Sequence, residues 1–196
     1  CLNQAVEVPG QFGDQVDLPG HFIKGKALSE RCEVNVLIFP LVVIDISEQA
    51  KKDPRYAVTV EDIKAYEAKY GPIPDGALVA LRSDWYKKWP DMDALSGIDA
   101  EGKENAPGWS LEALKYIYKV RNAAANGHET LDTDSSAVAE EKGDLAVGDD
   151  ARHHHSADQC AAGALHAAHA GGIACAQLHH IFGIHRQLVL KCLQHR

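Results

Sequence analysis

A mixed α/β domain is the fold class this sequence predicts, and three observations predict it. Residues 36–46 and 76–83 hold apolar, β-branched runs of the kind that form buried strands. Residues 59–70 and 110–121 carry apolar spacing and polar leading residues that suit helices. The two kinds alternate along the chain, with a third strand expected near 125–131, and alternation of this sort builds sheets covered by helices.

Taken in order, the first informative stretch is residues 10–24, GQFGDQVDLPGHFIK. Side chains repeat every two residues in an extended segment, so Gln11, Gly13, Gln15 and Asp17 would fall on one side of it. Pro19 and Gly20 then turn the chain, which would aim His21 back toward Asp17. A polar strand edge followed by an ordinary turn explains the same letters. In the next apolar run Pro40 is expected at the start or at a bulge, because proline donates no ladder hydrogen bond. Asp45 ends that run, where a capping role competes with an approach to a site.

Thr59 and Asp62 form a capping-box pattern, and Val60, Ile63, Tyr66, Ala68 and Tyr70 supply an apolar stripe behind it. Residues 71–76, GPIPDG, stop the helix. The strand of residues 77–81 leads into Arg82, Ser83, Asp84 and Trp85. Trp85, Trp89 and Trp109 flank a glycine-containing loop, where they would either wall a pocket for a flat substrate or plug the edge of the core. Ser110 caps the second helix, with Leu111, Leu114, Ile117 and Tyr118 on one face. Residues 127–134, GHETLDTD, then gather His128, Glu129, Asp132 and Asp134 into one octet. Four such groups are costly to bury without a metal, a proton or a positive partner, although a solvated acidic turn would carry the same residues.

Composition separates the chain into residues 1–146 and an atypical His/Ala-rich tail, 147–196. Nine of the eleven histidines lie in the tail, which has no Trp, Tyr, Pro or Glu. Its residues 160–170 and 174–193 have helix-compatible spacing, and its histidines suggest adventitious metal binding rather than a fixed ligand set. The whole chain carries a formal charge of −8, but Asp158 alone opposes four basic residues after position 150, so residues 1–150 hold the acidic excess. An acidic body argues against nucleic acid as a partner. Five unpaired-looking cysteines fit reduced thiols, no leader pattern is visible, and the longest apolar run falls short of a membrane span. A cytoplasmic protein with a small-molecule partner and no membrane is the expectation.

Three segments together carry a family resemblance. QFGDQVDLPGH is similar to the HxGTHxDxPxH signature of the cyclase family, the metal-dependent hydrolases that include kynurenine formamidases and isatin hydrolases. Gly13, Asp17, Pro19 and His21 match it, Gln11 and Gln15 stand where the family has metal-binding histidines, and Asp14 stands for Thr. Arg82-Ser83-Asp84-Trp85 resembles an Arg-Thr-x-Trp run, and GHETLDTD resembles GxDTxSxD, with Glu129 and Asp134 on its two Asp positions and Asp132 in place of Ser.

The resemblance implies a mixed-sheet swivelling β/β/α domain over residues 1–146, present in part, commonly assembled as homodimers or higher homo-oligomers. It implies Asp17, Gln11 and Gln15 as metal ligands and His21 as the general acid/base, with His128, Glu129, Asp132, Asp134 and Trp85 in the pocket or behind the ligands. The cofactor is a divalent metal, Mn²⁺ or Zn²⁺, with the neutral amide oxygens of the two glutamines favouring the harder cation. The implied activity is hydrolysis of a small formamide, cyclic amide or lactone, of the arylformamidase type known from tryptophan and kynurenine catabolism. A catalytically impaired relative that binds or assembles, and a His-rich metal-binding protein, are the alternatives.

Overall fold

The computed structural model describes residues 15–18, 37–143 and 173–177. Seven strands are present among them: β1 (Gln15–Asp17), β2 (Leu41–Asp45), β3 (Ala57–Val58), β4 (Leu78–Arg82), β5 (Gly108–Trp109), β6 (Ala125–His128) and β7 (Ile173–Gln177). Five form one sheet in the order β1-β7-β6-β4-β2, and β3 pairs with β5 in a separate parallel ladder. Within the large sheet β2, β4, β6 and β7 run parallel, while β1 lies antiparallel on β7. The expected mixed α/β architecture is therefore what the chain adopts.

Local sequence explains the central elements. Pro40 precedes β2 and needs no ladder donor there, while its carbonyl accepts from Leu78 N at 2.9 Å and starts the pairing of β2 with β4. Asp45 closes β2 by accepting from the backbone and hydroxyl of Ser47, which begins helix α1 (Ser47–Lys52). Its other oxygen pairs with Arg82 at the end of β4. Asp45 thus holds the turn between β2 and α1, whose N-cap is Ile46.

Helix α2 (Val60–Tyr70) opens with the capping box expected of Thr59 and Asp62, whose side chains each accept from the other's backbone N–H. It ends at Gly71, whose φ of 92° lies in the left-handed region that glycine tolerates. Ile63 is fully buried, but Tyr70 turns outward, so the stripe read from the sequence is narrower than its letters suggest. Between β4 and β5 lie a 3-10 turn, Trp85–Lys88, and the short helix α3 (Met92–Ser96).

Helix α4 (Leu111–Lys119) is capped by Ser110 Oγ, which accepts from Ala113 N. It buries Ala113, Leu114, Ile117 and Tyr118 on one face. These pack with Ile63, Trp109 and the inward residues Val42, Ile44, Val79 and Leu81 into the main core. Helix α5 (Ser136–Gly143) follows the acidic octet; Arg55 ties it down by pairing with Glu140 and donating to the Ser136 carbonyl.

Two sequence expectations need correction. The tail segment read as helical from 174 contains β7, which sits between β1 and β6 and so links the first described strand to the rest of the sheet. The third strand, expected to reach 131, stops at His128, because residues 130–132 fold into a turn closed by Thr130 Oγ1 donating to the Asp132 carbonyl at 2.7 Å. Among the described residues no helix is long and apolar enough to cross a membrane.

Candidate functional site

The parallel strands β2, β4 and β6 end on one side of the sheet, the edge at which open α/β folds place their ligands. Two chemistry-bearing segments leave from it. One is Arg82-Ser83-Asp84-Trp85 after β4; the other is the acidic octet at the end of β6.

Glu129 joins them. Its Oε2 accepts three hydrogen bonds, from Ser83 N at 3.0 Å, Ser83 Oγ at 2.8 Å and Trp85 N at 2.8 Å. Its Oε1 is buried and takes no hydrogen bond among the described residues. Burial pushes the Glu129 carboxyl above its usual range and Asp84 adds to that, while the Ser83 and Trp85 donors pull it down. Asp84 sits at φ 64°, a left-handed conformation uncommon for a residue with a Cβ. Its carboxylate bonds to Arg82 and Lys87, so the turn is held from below by Glu129 and from outside by charge.

His128 is 1% exposed and both its ring nitrogens are engaged. The Thr130 carbonyl lies 2.9 Å from Nδ1 and can only accept, so Nδ1 carries a proton, while Nε2 lies 3.2 Å from Thr133 Oγ1. Both nitrogens are thus held in place by the residues of the turn that follows β6. Asp134 is buried where its backbone bridges Trp109, and Asp132 lies in the turn. Gly108 makes this packing achievable: a Cβ there would stand 2.6 Å from backbone atoms of Thr133, Asp134 and Ser135.

Trp85 is buried against Leu95 and Ala106, and its Nε1 donates to the Leu95 carbonyl at 2.9 Å. The indole therefore completes a small core, while the residue also borders a groove of about 410 Å³ between α1 and the turn after β4. Ser47, Lys51, Ser83, Asp84 and Lys87 line it as well. Nothing in the sequence announced this groove, because α1 carries no signal beyond the Asp45–Ser47 cap.

Asp17 is partly buried on β1, opposite Cys175 of β7. Gln15 pairs with Gln177, which also pairs with His128, so the strand register runs across the sheet from Gln15 to the octet. With β7 between them, β1 and β6 stand roughly 10 Å apart at strand spacing. Gln11 and His21 lie outside the described residues. Among the described residues no group of three His, Cys, Asp or Glu could hold a metal. One carboxylate and two side-chain amides are oxygen donors, a set that suits a hard divalent cation better than zinc, and the engaged nitrogens of His128 and Oε2 of Glu129 do not add to it.

Comparison with known proteins follows the same lines. The family described as "Putative cyclase" matches residues 3–135. Isatin hydrolase of Roseibium aggregatum is 34% identical over 127 residues, which cover 63% of this chain and 48% of that protein. The crystal structure of an isatin hydrolase bound to the product analogue thioisatinate superposes with a TM-score of 0.60 at 32% identity, covering 66% of this chain and 50% of that one. Isatin hydrolase A of Ralstonia solanacearum gives a TM-score of 0.65 at 26% identity, over 84% of this chain and 57% of that one. The chain spans about half the length of the relatives it matches, and the family match covers more than half of the chain: this chain belongs to the cyclase family.

Proposed function

We propose that the chain contributes to a metal-dependent hydrolase that opens a small cyclic amide, with formamides and lactones as related substrates. The observation that carries the reading is the joining of the Ser83–Trp85 turn to the acidic octet at the carboxyl end of the sheet, in a chain whose relatives hydrolyse isatin. Asp17, Gln11 and Gln15 are the residues that would hold the cation. When bound, a divalent ion supplies a positive charge for the scissile carbonyl and a water of lowered pKa.

The chain's own residues do the rest. His21 is the general acid/base, because an imidazole titrates near neutrality and can take a proton from water and return it to the leaving nitrogen. His128, held at both nitrogens, fixes the turn of the octet. The two glutamines, where the family signature has histidines, favour a second reading in which the scaffold binds a cyclic amide without turning it over.

The purified 196-residue chain, stripped with chelator and given Mn²⁺, tests the proposal with isatin as substrate and ring opening followed by absorbance. Turnover that needs Mn²⁺ and falls about a hundredfold or more in Asp17→Ala is the expected result. Full turnover by chelated protein contradicts the metal reading, and saturable isatin binding without ring opening favours the second one.

A further inference from the structure

By composition the tail stands apart from the body, yet one stretch of it lies inside the sheet. Strand β7 has β6 on one side and β1 on the other, and among the described residues β1 pairs with no other strand. On the β1 side the register is regular, with Gln15 opposite Gln177, Val16 opposite Ala176 and Asp17 opposite Cys175. On the β6 side it shifts. Ala125 meets Ile173 but Gly127 meets Ala176, so β7 carries one residue more than β6 over the same length. That extra residue is a bulge, a device that bends and re-aims a strand locally. Beyond it, His128 and Gln15 share Gln177 as their register partner. The ladder that places Asp17 relative to the body of the sheet therefore runs through β7.

We propose that β7 is the positioning element of the cation site: the tail serves cation binding through the backbone ladder that holds β1, not through its histidines. The inference rests on the reading that Asp17 and Gln15 are ligands. A strand at a sheet edge with a single neighbour keeps its place only while that ladder is closed. An open ladder takes Asp17 and Gln15 out of a common frame, and binding a cation then has to order the segment as well. By linkage the effect is reciprocal: a cation held by ordered β1 must keep the ladder closed.

The test measures the Mn²⁺ affinity of the full chain by electron paramagnetic resonance, with tryptophan fluorescence in urea to follow the body, where Trp85, Trp89 and Trp109 lie. Neighbouring residues of a strand send their N–H groups to opposite sides, so Cys175→Pro and Ala176→Pro between them remove a ladder bond to β1. The variant that does so, recognised by faster hydrogen exchange of the β1 amides, is expected to bind Mn²⁺ about tenfold or more weakly and to keep a cooperative urea transition. Cys175→Ala keeps the ladder and is expected to bind within about threefold of the native chain. Unchanged β1 exchange in both proline chains, or native affinity where exchange is faster, overturns the proposal. So does a loss in Cys175→Ala as large as in proline, because the side chain then matters rather than the strand. Where neither proline chain folds, the native chain decides: at free Mn²⁺ of about ten times Kd, exchange of the β1 and β7 amides should slow about elevenfold, and unchanged exchange overturns the proposal. Asp17→Ala separates the two readings. A loss of affinity there, with none in a proline chain whose ladder is open, keeps the cation reading and removes the positioning role. A native chain that binds no Mn²⁺, or binds it as well without the Asp17 carboxylate, ends the cation reading and the proposal with it.

Discussion

Two carboxylates that join elements of this molecule, Glu129 buried and Glu67 partly so, are satisfied in opposite ways. Glu67, between α2 and α4, meets a cation: Arg121 bonds to both its oxygens, and Tyr116 OH and Ile73 N donate to it as well. That guanidinium is the main reason its carboxyl lies below the usual range. Glu129, between β6 and the turn after β4, meets no cation among the described residues and takes only uncharged donors, so burial raises it instead. A carboxylate that only joins two elements is best served by a cation, as at Glu67. One that must hold a backbone turn beside a groove is placed by the backbone's own donors and tolerates the desolvation.

Removing each carboxylate breaks the comparison most strongly. Glu129→Ala takes the acceptor away from the Ser83 amide and hydroxyl and leaves Trp85 N only the longer contact to Ser83 Oγ, a loss that should cost about 3 kcal/mol in urea denaturation. Glu67→Ala should cost less, because Arg121 is 30% exposed and can turn to solvent. Equal losses would remove the distinction. Trimming one hydroxyl from each site sharpens it: Ser83→Ala should lose about 1.5–3 kcal/mol and Tyr116→Phe about 1 kcal/mol, since only the second carboxylate keeps a cation. As a control away from both, Thr59→Ala should lose about 1 kcal/mol through its cap, with no change in isatin kinetics.

The sequence made the Glu67 side of the molecule readable and left the Glu129 side half hidden, for a physical reason. Thr59 with Asp62, Ser110, and the strand of residues 78–82 announce themselves within a few positions, because caps and periodicity are local. The octet was visible as a cluster, but which partner would satisfy Glu129 is set by a fold contact with Ser83, 46 positions away. A spacing rule cannot distinguish a cation from a pair of amides there. Tail residues 173–177 misled for a related reason: IACAQ reads equally well as part of a helix, and the slot between β1 and β6 decides for a strand. Helix α5 went unannounced because SAVAEEKG carries no apolar stripe; Arg55 and its own capping region hold it instead.

The two carboxylates also predict opposite responses to pH, which is where the account is most exposed. Glu129 has its folded pKa raised above the unfolded value, near 4.5, so its contribution is intact below that pH and is lost as pH rises through the folded pKa. Glu67 has its folded pKa lowered, so its contribution is present above about pH 4.5 and is lost as pH falls through the folded pKa. Urea denaturation of the native chain, Glu129→Gln and Glu67→Gln across acid to neutral pH is the most direct measurement. The stability of the native chain relative to Glu129→Gln should fall as pH rises, and relative to Glu67→Gln it should climb. Two differences that move in the same direction with pH would contradict the assignment of an uncompensated, turn-holding carboxyl to Glu129.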